Sequence, residues 1–357
     1  MNLPADDLRA QQLAASHSLA ARFYSDANIA ALERSTIFAR SWQIVAGVSQ
    51  VAQRGDHVVT EIAGLPIIVL RDDAENLRAY HNVCRHRAGP LARCDGRGAK
   101  VLRCGYHGWT YGLDGRLRAA TEMQDACDFD VAEISLPEVA VDVWRGLVFV
   151  AIDPAMSLAA LMAGTERLLG DRDFSDYRFD RKQAFPVPCN WKVYADNYLE
   201  GYHVPHIHPA LNKLLDYRKY VTEIDRWHSV QWSPLEGDGL VYREGIALYY
   251  FIWPNLMLNI LPDRLQTNRI VPLAIDRCRV DFDYLYPSRA EADAPERRAS
   301  DQSFSEEVQA EDAEICERVQ KALESGSYVP GRLNPKRENA VFHFHEQLRD
   351  AYRAAGA

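Results

Sequence analysis

Apolar residues recur three and four apart in Ile29-Ala30-Ala31-Leu32-Glu33-Arg34, which predicts a helix with Asp26 or Asn28 as its N-cap. From about residue 41 the period shortens. Val58-Val59-Thr60-Glu61-Ile62 and Ile67-Ile68-Val69-Leu70 read as strands, punctuated by Ala63-Gly64-Leu65-Pro66 and Arg71-Asp72-Asp73. Val143 to Ala151 reads as the closing strand of a small all-β module. Leu158 to Leu169 predicts a helix, followed by a polar connection. Later, two apolar strands joined by a turn are expected across Tyr249 to Leu273. The run Phe304 to Leu323 is amphipathic, with Phe304, Val308, Ile315, Val319 and Leu323 in one stripe. The expected fold is α+β in three parts: a helical segment at 1–40 packing on the last part, an all-β module at 41–151, and an α+β part at 152–357. Residues 1–20 and 325–357 carry no functional signal. His343 and His345, two apart, read as structural groups on one strand face.

Composition narrows the function classes. The chain has 357 residues, 47% hydrophobic and 25% charged, which suits a globular protein of two domains or one large one. A net charge of -9 gives no basic footprint for nucleic acid. No apolar run is long enough to predict a membrane-spanning helix. Met1-Asn2-Leu3-Pro4-Ala5-Asp6-Asp7 lacks the positive start and apolar core of a signal peptide. Seven cysteines, an odd number, suggest no disulfide framework. Cys94, Cys127, Cys189, Cys278 and Cys316 read as reduced thiols, mostly buried, which points to the cytoplasm.

Cys84-Arg85-His86 is a C-x-H pair. After seventeen intervening residues, Cys104-Gly105-Tyr106-His107 is a C-x-x-H pair. Both halves run into glycine, at Gly89 and Gly108, which lets a loop wrap a metal group closely. Structural zinc also accepts two Cys and two His, but in spacings that pair like with like. One Cys and one His in each half suit a Rieske [2Fe-2S] centre, where two Cys hold one iron and two His the other.

From Trp42-Gln43-Ile44-Val45 through Asn82-Val83-Cys84-Arg85-His86-Arg87 to Cys104-Gly105-Tyr106-His107-Gly108-Trp109, the chain resembles the Rieske domain of Rieske-type non-haem iron oxygenases.

A second cluster lies at Asp196-Asn197-Tyr198-Leu199-Glu200-Gly201-Tyr202-His203-Val204-Pro205-His206-Ile207-His208-Pro209. Glu200 and His203 are three apart, as on one helix face. Pro205 is expected to break that helix and let His208 turn back toward His203. His206 is the competing ligand. Iron that handles dioxygen commonly sits on two His and one carboxylate. On the helix at 304–323, Asp312 lies about 30° from the centre of the apolar stripe and Glu311 about 70°. An acid on a buried face needs a partner, so Asp312 is the candidate third ligand and Glu311 the alternate.

Asn190-Trp191-Lys192, Asp196-Asn197-Tyr198 and Glu200-Gly201-Tyr202-His203-Val204-Pro205 resemble the catalytic-domain signature of the same oxygenases. The resemblance implies a catalytic domain of antiparallel sheet flanked by helices, of helix-grip type. It implies His203, His208 and Asp312 as iron ligands. It makes Glu200 the acid that bridges to a Rieske His of the next subunit in a homotrimer. It also implies two cofactors, a [2Fe-2S] cluster and mononuclear Fe(II), with O2 as co-substrate. Tyr249 to Asn259, Thr267 to Leu273 and Ile315 to Gln320 look like the choline monooxygenase, glycine betaine demethylase and carnitine oxygenase branch. That branch implies hydroxylation or N-demethylation of a small quaternary ammonium. Tyr194, Tyr202, Tyr250 and Trp253 are the candidate aromatic box for it. Ring hydroxylation or O-demethylation of an aromatic compound is the alternative. The chain shows no Gly-rich dinucleotide fingerprint and no plant-type ferredoxin spacing, so NAD(P)H would act through a separate flavin and iron-sulfur reductase.

Overall fold

The computed structural model describes residues 3–215, 217–238, 243–288 and 294–356. The chain divides into two compact units, Phe38–Leu161 with Gly170–Phe179, and Met1–Ile37 with Met162–Leu169 and Asp180–Ala357. The divisions therefore lie at 37 and 161, and residues 170–179 return to the β unit.

The β unit contains three antiparallel sheets of three strands. The first pairs β1 (Gln43–Gly47) with β9 (Leu147–Ala151) and β9 with β8 (Ala140–Trp144). The second joins β2 (His57–Ile62), β3 (Leu65–Arg71) and β4 (Leu77–His81). The third joins β5 (Leu102–Arg103), β6 (Thr110–Tyr111) and β7 (Leu117–Ala119). Strand β3 explains its own unbroken apolar run. Ile67 and Val69 enter one core cluster, and Ile68 and Leu70 enter another, so both faces are buried. The single closing strand expected over 143–151 is instead a hairpin. Arg145 and Gly146 both adopt positive φ, 47° and 81°, which folds β8 back on β9. The apolar run masked that turn.

The second unit is built on a seven-stranded antiparallel sheet. The order is β10 (Tyr177–Val187), β16 (Arg277–Pro287), β15 (Arg264–Ala274), β14 (Leu256–Leu261), β13 (Arg243–Ile252), β12 (His228–Asp238), β11 (Val221–Ile224). The apolar stretch 249–273 thus spans three strands, not two. Helix α1 (Ala27–Glu33) is capped by Asp26, whose side chain accepts from Asn28 N–H. Helix α2 (Trp191–Tyr198) is capped by Asn190 and packs on β15 and β16. A one-turn helix α3 (Val204–Ile207) follows. The long α4 (Ala294–Glu324) packs against α2, and α5 (Asn339–Ala354) lies by β11. His343 and His345 sit on α5, so their alternation was not a strand face. The helix expected over 158–169 is two pieces, Leu158–Met162 and Glu166–Leu169, parted at Gly164, whose φ is 90°.

One residue of β16 costs stability. Asp283 is buried, and burial pushes its carboxyl up to about 6, outweighing Lys182 Nζ at 3.6 Å. Above pH 6 the native and unfolded chains both carry this charge, and the cost is fully present. Between about pH 6 and pH 4 the native chain takes up the proton first, so this cost fades. Asp283→Asn is therefore expected to raise Tm by a few degrees at pH 7.5, from roughly 2 kcal/mol. Thermal scans from pH 7.5 to 4.5 should show the advantage shrinking below pH 6. An advantage that grew with acid would refute this account.

Candidate active site

The two cluster loops are conformational copies. Cys84 N–H donates to Gly89 O, and Cys104 N–H donates to Trp109 O, each at 2.9 Å. Ala88 N–H returns to Cys84 O, and Gly108 N–H to Cys104 O, each at 3.0 Å. Ala88 and Gly108 occupy the same left-handed position, with φ of 59° and 77°. Asn82 pins the first loop, accepting from Leu91 and Ala92 N–H and donating to Ala92 O. A Cβ on Gly89 would lie 2.8 Å from Cys104 Sγ, so only glycine lets the loops approach.

The donor set suits a two-iron cluster. Cys84 and Cys104 are buried, and the His86 and His107 rings stand 4.6 Å apart at 72°. His86 Nδ1 is buried without a partner, as an atom awaiting a metal would be. Among the described residues no three of these four donors lie within 4.8 Å of one another, so they span more than one ion's shell. Tyr111 hydroxyl lies 3.3 Å from Cys84 Sγ and accepts from Arg85 N–H, fixing the cysteine side of the loop. Cys94 and Cys127 are exposed, while Cys189, Cys278 and Cys316 are buried.

In the second unit, His203, His208 and Asp312 are the one group of donors among the described residues that converges as for a single ion. Helix α2 stops at Tyr198, and Gly201 abuts the Tyr220 ring, where a Cβ would lie 2.7 Å from it. Glu200 and His203 consequently sit in the connection, not on a helix face. Pro205 does not break a helix but starts one, in the first turn of α3, where its missing N–H costs nothing. His203 and His208 flank that single turn. His206 is exposed and takes no part.

Each histidine is oriented by its own carboxylate. His203 Nδ1 bonds Glu200 Oε1 at 2.7 Å, and His208 Nδ1 bonds Glu311 Oε2 at 2.7 Å. Glu311, the alternate ligand in the sequence, thus stands behind His208 instead of at the centre. Asn197 Nδ2 donates to Asp312 Oδ1 at 2.6 Å. With both Nδ1 protons given to carboxylates, the Nε2 lone pairs face one another at 3.1 Å. Asp312 Oδ1 lies 3.0 Å from His208 Nε2 and 3.8 Å from His203 Nε2. That arrangement repels itself unless positive charge sits within it. Burial lowers the His208 pKa, yet Asp312 and Glu311 more than offset this and hold it above the ordinary value. The residues therefore fit a divalent iron on two His and one carboxylate. Glu311→Ala is expected to weaken iron binding about 10–100-fold, read by chelator competition. Unchanged retention would show that the His208–Glu311 bond does not matter.

A cavity opens over these three residues, lined by Tyr194, Tyr198, Tyr220, Tyr249 and Phe282 among others. Of the four aromatics expected from sequence, only Tyr194 lines it. Tyr202 is 46% exposed. Tyr250 donates to Thr165 O at 3.1 Å and its ring lies 5.5 Å from that of His228, on the other face of the sheet. Successive strand residues face opposite ways, so Tyr249 enters the cavity and Tyr250 cannot. Trp253 lies in the turn after β13, near Phe344.

Residues 174–354 match the ring hydroxylating alpha subunit (catalytic domain) family, and residues 41–138 match the Rieske [2Fe-2S] domain. The chain belongs to the Rieske-type oxygenase alpha subunits. It is 35% identical to the chloroplastic choline monooxygenase of Arabidopsis thaliana, over 90% of this chain and 80% of that protein. It is 29% identical to the carnitine monooxygenase oxygenase subunit of Escherichia coli (strain K12), over 94% of each. A solved structure of the quaternary ammonium Rieske monooxygenase CntA with L-carnitine superposes with a TM-score of 0.87 at 25% identity, covering 98% of this chain and 99% of that one. A Rieske oxygenase of this kind is an oxidoreductase. It carries a [2Fe-2S] cluster and a mononuclear iron, consumes O2, and receives electrons from a separate reductase. Among the described residues no helix is long and apolar enough to cross a membrane.

Proposed function

We propose that this chain oxygenates a small quaternary ammonium, by hydroxylation or N-demethylation. The observation that carries this reading is the cavity itself: five aromatic rings, and no Lys or Arg among its described lining residues. Aromatic faces attract a cation that cannot hydrogen-bond, and no fixed positive charge opposes it. The choline and carnitine relatives act on substrates of that kind.

His203, His208 and Asp312 would hold the iron, and Cys84, His86, Cys104 and His107 the cluster. When bound, the iron supplies dioxygen chemistry and the cluster supplies single electrons. The chain's own part is orientation. Glu200 and Glu311 hold the Nδ1 protons, which fixes both Nε2 atoms. Asn197 fixes Asp312, and the rings shield the reacting carbon from water.

The assembly is proposed as a ring of three, with Glu200 linking the iron site to the neighbouring cluster. A head-to-tail contact, in which the cluster unit of one copy meets the iron unit of the next, is heterologous, and a ring is its closed form. Val319, 40% exposed, borders a recess that also holds Glu200, and Tyr106 beside His107 is 58% exposed. These supply apolar surface for such a contact. The partner reductase is proposed to draw on NAD(P)H. The cytoplasm, where thiols stay reduced, is the proposed compartment.

The test is oxygen uptake by the full chain with a flavin and iron-sulfur reductase and NADH. Choline, glycine betaine, carnitine and an aromatic acid are supplied in turn. Uptake coupled to product with at least one ammonium compound is expected. Turnover of the aromatic acid alone would sink the reading.

A further inference from the structure

The cavity has two ends that differ chemically. Gln309 lies on α4 three residues before Asp312, so both point to one face of the helix. It is 2% exposed. Tyr194 hydroxyl donates to Gln309 Oε1, which holds the amide by its oxygen. Gln309 Nε2 is buried with no hydrogen-bond partner. At the other end, Gln231 Nε2 donates to Tyr198 O at 2.6 Å, and its Oε1 is likewise buried and unpartnered. Gln231 and Gln309 both line the cavity. In the sheet, Gln231 stands opposite Tyr249, Tyr249 opposite Asn259, and Asn259 opposite Gln266. Ser305 on α4 reaches Gln266, which places α4 over the far end of that row. Among the described lining residues, the unpartnered donor thus sits on the helix that reaches β15 and the unpartnered acceptor on β12, three strands away.

A buried amide left without a partner is costly, so a ligand that supplies the missing group is favoured. We propose that Gln309 Nε2 donates to the oxygen of a quaternary ammonium alcohol, and that Gln231 Oε1 with Tyr249 faces the ammonium. Gln309 is then a specificity-determining residue, and the substrate class is the choline-type alcohol instead of a carboxylate betaine. A single neutral amide suffices for a hydroxyl. A carboxylate would need a cation, and among the described lining residues there is none. It would also lie near Asp312, another negative group. This inference rests on the quaternary ammonium reading above.

The experiment is calorimetric titration of the full iron-loaded chain with choline, propyltrimethylammonium and glycine betaine. Propyltrimethylammonium replaces the hydroxyl by a methyl group. The wild type is expected to bind choline about three- to ten-fold more tightly than propyltrimethylammonium, the worth of one hydrogen bond. Glycine betaine should bind more weakly than choline. In Gln309→Met the choline preference should fall to about one, with propyltrimethylammonium affinity unchanged. If that variant fails to fold, Gln309→Glu keeps an acceptor for Tyr194 and should weaken glycine betaine further. A choline preference that survives substitution, or betaine binding more tightly than choline, overturns the assignment of Gln309 while leaving the ammonium reading intact. No binding of choline also overturns the assignment, and the uptake assay with carnitine decides the ammonium reading separately.

Discussion

His208→Ala is expected to lose the mononuclear iron and keep the cluster. Wild-type chain should contain about three irons and two acid-labile sulfides, and the variant about two irons with the red-brown colour unchanged. His208 is 1% exposed, and its Nε2 is the donor nearest both His203 and Asp312. Its removal leaves His203 and Asp312 facing a void, with Glu311 holding no imidazole. Oxygenation should fall by more than about 100-fold, since even the residues behind a ligand typically cost 10–100-fold. His206→Ala is the control: the residue is exposed, and iron content should not change. Cys84→Ala should do the converse and bleach the protein. Equal iron in His208→Ala and wild type would remove the site from this triad.

The ligand pairs were legible because metal chemistry constrains residue type and spacing together. Cys84, His86, Cys104 and His107 announce themselves without any knowledge of the loops. The acid that converges with the two histidines is legible for a weaker reason. Asp312 stands out as an acid near an apolar stripe, yet that stripe is not the most buried face of α4. Val319 is 40% exposed, whereas Gln309 and Gln320 are 2% exposed. Each amide oxygen accepts from a group on another element, Tyr194 hydroxyl for Gln309 and Asn190 N–H for Gln320. Hydrophobic periodicity cannot register polar contacts made across elements. The same limit hid the role of Glu311, which depends on where α4 passes His208. Tyr250 misses the cavity on parity. Tyr249 and Tyr250 are equally aromatic, and only the β13 register decides which one faces the cavity. The hairpin at Arg145-Gly146 was lost inside an apolar run, although the glycine there was a usable signal.

Glu33→Ala is expected to be the most destabilising single change considered, by about 3–5 kcal/mol. Glu33 is 1% exposed and holds three groups. Lys192 Nζ donates to Oε1 at 2.6 Å, Trp191 Nε1 donates to Oε2 at 2.8 Å, and Tyr352 hydroxyl donates to Oε1. Lys192 is fully buried, and burial lowers its pKa although Glu33 opposes this. Alanine would strand that amine together with two other donors. It would also release α1 and α5 from α2, the helix that carries Asn197 to Asp312. The expected fall in Tm is roughly 10 °C, with iron loss at lower chelator concentration because α2 loosens. The double variant Glu33→Leu with Lys192→Met should recover most of the loss, since no buried charge is left alone. That contrast separates the two possible sources of the effect. If the double variant is as unstable as the single one, packing at α1 and not the orphaned charge sets the cost. If Glu33→Ala leaves Tm within a degree or two, the buried pair contributes nothing. The Trp191-Lys192 pair that marks this segment in the sequence would then need another explanation.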